Sequence, residues 1–320
     1  MHWLSHGVEQ LITNTEEGYA PEVLVVGSGY GGSVAALRFA EHGQSVAVLE
    51  RGAEYLAGEF PTDFGQFGGF VRAEVGGNLE RGQGPAAIGY EDALFDFRVG
   101  TRASALVGNG LGGGSLINAA VALRPDPRVF QQEAWPAAVR EASLDADYAL
   151  ATQVLEIQSP QAQRASPACV PQHTAKYQRM QEIGQAAASR FGNTHLKVST
   201  EDVPLAIEFR ADAPLGLGPR DACVGCGDCC SGCNHNAKLS LDKTYLADAV
   251  GTGRVTIYTL SEVRRIEQQA NGDYLLTVRQ IDDVGNVLGT YQVSCGKLFL
   301  GAGSLGTTEL LVRARDRKSV

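Results

Sequence analysis

Three observations predict an α/β fold, with a parallel sheet opened by a β-α-β unit and a β-meander near the C-terminal end. Short apolar runs flank a helical pattern between residues 23 and 49. From Val255 onward the texture becomes one of closely spaced short strands. The 39 glycines gather in bunches that sit at the ends of apolar runs.

Val23–Val26 is a continuous apolar run, the pattern of a strand buried on both faces. Gly27-Ser28-Gly29-Tyr30-Gly31-Gly32 follows at once, and Ser33–Ala40 reads as a helix that Gly43 closes. A second apolar strand, Val46–Leu49, ends on Glu50. Residues 60–100 are rich in Gly, Phe and Asp and give no sustained period. A second glycine bunch, Gly108–Ser115, runs into Leu116-Ile117-Asn118. Pro136–Phe191 reads as mostly helical, interrupted at Ser159-Pro160 and from Ser166-Pro167 to Pro171. Lys243–Val250 is a further helix. Val255–Leu260, Val263–Gln268, Tyr274–Ile281 and Val287–Ser294 are strands, with turns at Asn271-Gly272 and Asp283–Asn286. Lys297–Leu300 is a last strand, ending in Gly301-Ala302-Gly303-Ser304.

Composition narrows the function classes. At about 150 residues per domain, 320 residues allow two. Hydrophobic residues at 44% and charged residues at 20% are those of a globular chain that buries a core. Lys and Arg number 27 against 36 Asp and Glu, a net charge of -9 with no basic run, which argues against nucleic acid. No run approaches the roughly 18 apolar residues of a membrane span. Met1–His6 has neither the basic nor the apolar region of a signal peptide. Of seven cysteines, five lie between Cys223 and Cys233, a single cluster that points to a metal site in a reducing compartment. The chain therefore reads as cytoplasmic.

The first glycine bunch has the order of a dinucleotide fingerprint. Gly27 permits the tight turn, Gly29 lets the backbone approach a pyrophosphate, and Gly32 lets the helix pack on the strand. The helix N-terminus presents free N–H groups to the phosphates. Glu50 is placed to accept hydrogen bonds from a ribose diol. FAD and NAD both fit, whereas the 2′-phosphate of NADP would sit beside a carboxylate with only Arg51 to neutralise it. Gly113-Gly114-Ser115 with Asn118 offers a bare backbone for a planar ring, with amide donors around it.

Val25–Gly32, the loop Val107–Asn118, the block Ser240–Ala247 with Gly251-Thr252-Gly253, and Leu298–Gly306 through Glu309–Asp316 together resemble the glucose–methanol–choline (GMC) flavoprotein oxidoreductases. Within that family the chain is most similar to the cholesterol oxidases that hold FAD non-covalently. The resemblance implies a Rossmann-like FAD-binding domain of the GMC type, with a discontinuous and incomplete substrate domain. The FAD segments would be 1–52 and 240–320, and the flavin loop, partial substrate domain and Cys-rich loop would be 53–239. Gly27, Gly29, Tyr30, Gly31 and Gly32 would hold the pyrophosphate and Glu50 the adenosine ribose. Gly113, Gly114, Ser115 and Asn118 would line the flavin, Val263 would touch adenine through its main chain, and Gly301, Ala302 and Gly303 would pass near the cofactor. The implied reaction is oxidation of an alcohol, a sterol or another bulky hydroxyl, by hydride transfer to flavin N5. Electrons then pass to oxygen or to an acceptor protein.

In this family the catalytic histidine lies in the C-terminal third. None of His2, His6, His42, His173, His195 and His235 matches it, so no catalytic residue is assigned and the chain reads as an N-terminal portion. A parallel sheet without its last segment is expected to leave apolar edges and to be poorly soluble. A second reading makes the chain an electron-transfer or structural module. Its basis is Cys223, Cys226, Cys229 and Cys233, whose C-x2-C-x2-C-x3-C spacing is that of ferredoxin iron–sulfur sites, with Cys230 an extra thiol and Asn234 where proline usually follows. A structural zinc, a redox disulfide and thiols without a ligand are the competing readings. His235 reads as a loop residue, Lys238 and Lys243 as solvated or helix-end charges, and Trp3 and Trp135 as packing.

Overall fold

The computed structural model describes residues 4–17, 20–76, 86–141, 143–159, 163, 175–191, 202–210, 220–282 and 284–315. Its strands are β1 (Ser5–His6), β2 (Val23–Val26), β3 (Val46–Leu49), β4 (Val71–Val75), β5 (Ala86–Ile88), β6 (Phe95–Val99), β7 (Ala105–Gly108), β8 (Val255–Tyr258), β9 (Ser261–Gln268), β10 (Tyr274–Ile281), β11 (Val287–Cys295) and β12 (Lys297–Leu300). They form a five-stranded parallel sheet in the order β1-β8-β3-β2-β12, an antiparallel meander β11-β10-β9, and a mixed sheet β5-β4-β6-β7. The parallel sheet thus joins strands from both ends of the chain.

Both faces of that sheet are covered, which is why its strands read as unbroken apolar runs. Val23, Val25, Val46, Val48, Val255 and Ile257 pack against Ala36, Leu37 and Ala40 of the helix Tyr30–Glu41 and against Leu246 and Ala249 of the helix Tyr245–Gly251. The alternate residues Leu24, Val26, Ala47 and Leu49 pack against Val8 and Leu11 of the helix Val8–Glu16 and against Leu276, Val278 and Val293 of the meander. Strand β12 lies at the sheet's edge, its Leu298, Phe299 and Leu300 half-buried.

The mixed sheet occupies the region of residues 60–100, which shows no sustained period. Phe95 and Phe97 pack with Phe60, Leu94, Leu116 and Val71, while Arg72, Glu74, Asp96 and Arg98 stand on the other face. The expected Pro136–Phe191 helix is divided into Ala137–Glu141, Asp145–Val154 and Ala175–Phe191. Its Pro160 and Ser166–Pro171 interruptions lie outside the described residues, as do His2, Trp3, His173, His195 and the tail after Arg315. The Lys243–Val250 helix begins instead at Tyr245, after a single 3-10 turn over Leu241–Lys243. No helix among the described residues is long and apolar enough to cross a membrane.

Candidate functional site

A cleft of about 380 Å3 opens at the carboxyl ends of β2, β3 and β12, where open α/β sheets form ligand sites. The volume suits a small-molecule ligand, for which about 300–1,000 Å3 is usual. Gly27, Gly29, Tyr30 and Gly31 line it from the first turn, Glu50 from the end of β3, and Gly113 and Gly114 from the second glycine loop. Val263 lines it from β9, and Gly301, Ala302 and Gly303 from the end of β12. Two helices, Tyr30–Glu41 and Gly303–Arg315, begin at this cleft, so both bring unpaired N–H groups and a positive dipole end to it.

The glycines divide into two kinds. Gly27 has φ +90°, and a Cβ there would lie 2.7 Å from the Gly301 oxygen. A Cβ on Gly32 would lie 1.8 Å from the Gly27 oxygen. These two let turn, helix and neighbouring strand meet, and Gly32 itself stays out of the cleft lining. Among the described residues nothing lies within 4 Å of the same position at Gly29, Gly31 and Gly114, so the bare backbone there faces open space.

Glu50 is more deeply engaged than its sequence position suggests. Its Oε2 accepts from the Ser28 backbone N–H at 2.9 Å and from Ser28 Oγ at 2.7 Å, and its Oε1 accepts from Gly52 N–H at 2.9 Å. A carboxylate accepts about four bonds, so Oε1 keeps one acceptor site. Ser28 Oγ also accepts from Gly112 N–H at 3.0 Å. The fully buried Ser28 thereby ties both glycine loops to the Glu50 carboxylate. Ser28 leaves only one signal in the sequence, a hydroxyl residue between the first two fingerprint glycines.

Two other candidate residues sit away from the cleft lining. Ser115 is buried, donating to the Gly112 oxygen at 2.7 Å and accepting from Leu241 N–H at 3.0 Å. Asn118 donates from Nδ2 to the Tyr30 hydroxyl at 2.8 Å and accepts at Oδ1 from Ala120 N–H. Both order the loop that carries Gly113 and Gly114. Partial burial pushes the Tyr30 phenol up, against the lowering effect of that Asn118 bond. Beside Val263 the pairing of β9 with β10 steps from Arg265↔Thr277 to Val263↔Val278, which leaves Arg264 as the extra residue of a bulge at the cleft rim.

A buried ion network forms the far wall. Asp96, fully buried, accepts from Arg51 at 2.7 Å, Arg72 at 3.0 Å and Arg98 at 2.9 Å. Glu74 bridges Arg72 and Arg98, and Glu309 of the helix Gly303–Arg315 takes Arg98 at 3.0 Å. Burial works against the Asp96 charge, but the guanidinium groups of Arg51 and Arg98 outweigh it and hold its carboxyl below the usual carboxylate range. Arg72 keeps a buried Nε–H with no acceptor among the described residues. Burial and then the neighbouring Arg264 push the Arg313 guanidinium down at the opposite rim.

The cysteine loop packs against the second glycine loop and residues 58–60. Cys223, Cys226, Cys229 and Cys233 line one small cavity of about 20 Å3, close to the least space that holds a single water. Among the described residues no three Cys, His, Asp or Glu side chains are placed to hold a metal ion. Nothing in this arrangement marks an iron–sulfur cluster. Other contacts hold the loop. Cys223 and Cys229 pack on Ala120, Ile207 and Phe209 as small apolar side chains, and burial pushes both thiols up. Asn234 accepts from Gly58 and Phe60 N–H and donates to the Phe60 oxygen, stapling the loop to residues 58–60. Lys238, read from sequence as a solvated charge, is buried beside it.

The family model described as GMC oxidoreductase matches residues 22–314. A cholesterol oxidase of Acinetobacter baumannii is 30% identical over 96% of this chain and 52% of its own length. A long-chain-alcohol oxidase of Arabidopsis thaliana is 26% identical over 78% of this chain and 27% of its own length. Among solved structures, a fungal aryl-alcohol oxidase shares the fold with a TM-score of 0.52 at 15% identity, over 92% of this chain and 48% of that one. The chain thus spans about half or less of the length of the relatives it matches.

Proposed function

The chain belongs to the GMC oxidoreductase family, and from that premise we propose that it forms the FAD-holding part of an enzyme that oxidises a bulky apolar alcohol such as a sterol. One observation carries the reading. The cleft combines backbone open at Gly29, Gly31 and Gly114 with two helix N-termini at the carboxyl edge of a parallel sheet.

The residues suit FAD in several respects. Gly29 and Gly31 leave room for a pyrophosphate against the start of the helix Tyr30–Glu41. The two helix N-termini at the cleft favour an anion there. Glu50 Oε1 keeps an acceptor site for a ribose hydroxyl. Gly113 and Gly114 would back the flavin ring, with Ser115 and Asn118 fixing their loop. Val263 and the bulge at Arg264 would meet adenine, and Gly301, Ala302 and Gly303 would run alongside the cofactor. Residues 1–52 and 240–320 then make up the cofactor domain, and residues 53–239 carry the flavin loop and part of the substrate side.

Bound FAD would supply the hydride acceptor, and this chain would supply placement and electrostatics. No residue here is assigned as the base that takes the hydroxyl proton. The relatives are named for cholesterol and for long-chain alcohols, which supports a large apolar alcohol over a small polar one.

The test is purification of the full-length protein from its source, followed by flavin absorbance and turnover assays. Those assays would compare a sterol, a long-chain primary alcohol and a short alcohol. FAD in about one equivalent with turnover of the sterol is the expected result. A well-folded full-length protein free of flavin overturns the cofactor assignment, and turnover of the short alcohol alone overturns the substrate class.

A further inference from the structure

Lys238 is a buried cation that the cleft does not use. The residue is 2% exposed, and its ammonium donates to the oxygens of Leu116 at 2.9 Å, Asn118 at 2.6 Å and Cys229 at 2.8 Å. An ammonium has three donors, and here all three go to neutral backbone carbonyls on two separate loops. Leu116 and Asn118 belong to the turn that follows Gly113 and Gly114, while Cys229 belongs to the cysteine loop. Asn118 in turn donates to the Tyr30 hydroxyl at the cleft. A continuous chain of bonds therefore runs from Cys229 through Lys238 and Asn118 to Tyr30.

The cost of this arrangement suggests it is not incidental. A charge taken out of water is expensive, and carbonyl dipoles repay it only while all three hold their positions. Moving either loop leaves a buried ammonium short of a partner. The two loops are consequently harder to move separately than together.

We propose that Lys238 is a positioning residue that couples the cysteine loop to the flavin-facing loop, so that FAD occupancy and the reactivity of the Cys223 and Cys229 thiols are linked. The proposal rests on the FAD reading above. Cys223 and Cys229 are only partly exposed and pack against apolar side chains, so local opening of their loop speeds a reagent's access to them. Opening that moves Cys229 away removes one partner from Lys238. A ligand that orders the flavin-facing loop holds the other two partners in place and opposes that opening. Linkage makes the effect reciprocal: whatever factor FAD imposes on loop opening, opening imposes on FAD.

The experiment uses the full-length protein under reducing conditions. Iodoacetamide labelling of each cysteine is followed by peptide mass spectrometry, without FAD and with saturating FAD, and flavin uptake is measured alongside. Cys295, buried in the meander strand β11 and remote from Lys238 in sequence, reports general stabilisation. FAD is expected to slow labelling of Cys223 and Cys229 at least about fivefold more than that of Cys295, the lower end of usual coupling. In Lys238→Met that excess is expected to fall below about twofold at saturating FAD, with the Cys295 ratio unchanged. Should the variant fail to fold, the wild-type protein decides. Alkylation at Cys229 is then expected to weaken FAD binding, and an unchanged affinity overturns the proposal. Bound FAD with no excess protection overturns this proposal alone. A folded protein that takes up no FAD overturns the cofactor reading and this proposal with it.

Discussion

Ser28→Ala tests whether one hydroxyl holds the two glycine loops together. The substitution removes the 2.7 Å bond from Oγ to Glu50 Oε2 and leaves Gly112 N–H without its acceptor, while the Ser28 backbone bond to Glu50 remains. A hydrogen bond to a charged group contributes about 1.5–3 kcal/mol, and a buried unsatisfied N–H costs about 1–3 kcal/mol. Some relaxation around Gly112 lowers the sum, so a loss of about 2–4 kcal/mol is expected. With a urea m-value near 3 kcal/mol per molar, that is a midpoint shift of about 1 M. FAD affinity should fall with it, because Gly113 and Gly114 follow Gly112 directly. The comparison is Ser33→Ala, which removes a 3.2 Å bond to the Tyr30 oxygen within the same helix and should cost less than about 1 kcal/mol. Urea unfolding followed by circular dichroism measures stability, and flavin fluorescence measures affinity. A Ser28→Ala protein within about 0.5 kcal/mol of wild type would refute the bridging argument.

Gly29→Val and Gly114→Leu place side chains where the backbone faces open space, so FAD affinity should drop by more than about tenfold, a loss of 1.4 kcal/mol, with the circular dichroism spectrum retained. Unchanged flavin uptake would show that the ligand lies elsewhere. Gly32→Ala puts a Cβ 1.8 Å from the Gly27 oxygen, and it should damage folding itself; a soluble variant with wild-type melting would contradict that packing. Asp96→Ala leaves Arg51, Arg72 and Arg98 without their shared carboxylate and should cost about 3–5 kcal/mol in urea unfolding. Because the folded-state pKa of Asp96 lies below its unfolded value of about 3.9, its contribution is complete above that value and is lost as pH falls through the folded-state one. Denaturation midpoints measured from about pH 5 downward should therefore fall less steeply in Asp96→Asn than in wild type; parallel slopes would count against the network.

Much of the parallel sheet was legible because local patterns there carry local consequences. A four-residue apolar run followed by Gly27-Ser28-Gly29 admits few structures, and Val23–Val26 does form a strand covered on both faces. The meander followed from its turns, since Gly272 and Gly285 take the positive φ that those turns require. The mixed sheet was missed although its pattern is present. Phe95-Asp96-Phe97-Arg98-Val99 alternates apolar and charged residues with period two, but five residues beside a glycine-rich stretch are too few to stand out. Asn234, noted in the sequence for replacing a proline, proves to be the side chain that staples the cysteine loop to residues 58–60.

The residues overlooked or misread in the sequence share a cause. Lys238, Asp96 and Ser28 are polar groups whose role depends on partners far away in the chain. Lys238 lies 120 and 122 residues from two of its acceptors, and Ser28 lies 84 residues from Gly112. A lysine with unknown neighbours is sensibly read as solvated, since burying its charge costs several kcal/mol. Only three converging carbonyls reverse that judgement, and spacing cannot reveal them. The cysteines show the same limit from the other side. Their spacing matches a metal loop, yet spacing alone does not determine whether the Sγ atoms converge. Here two partly buried thiols pack on Ile207 and Phe209, and the ammonium of Lys238 ties that loop to its neighbour.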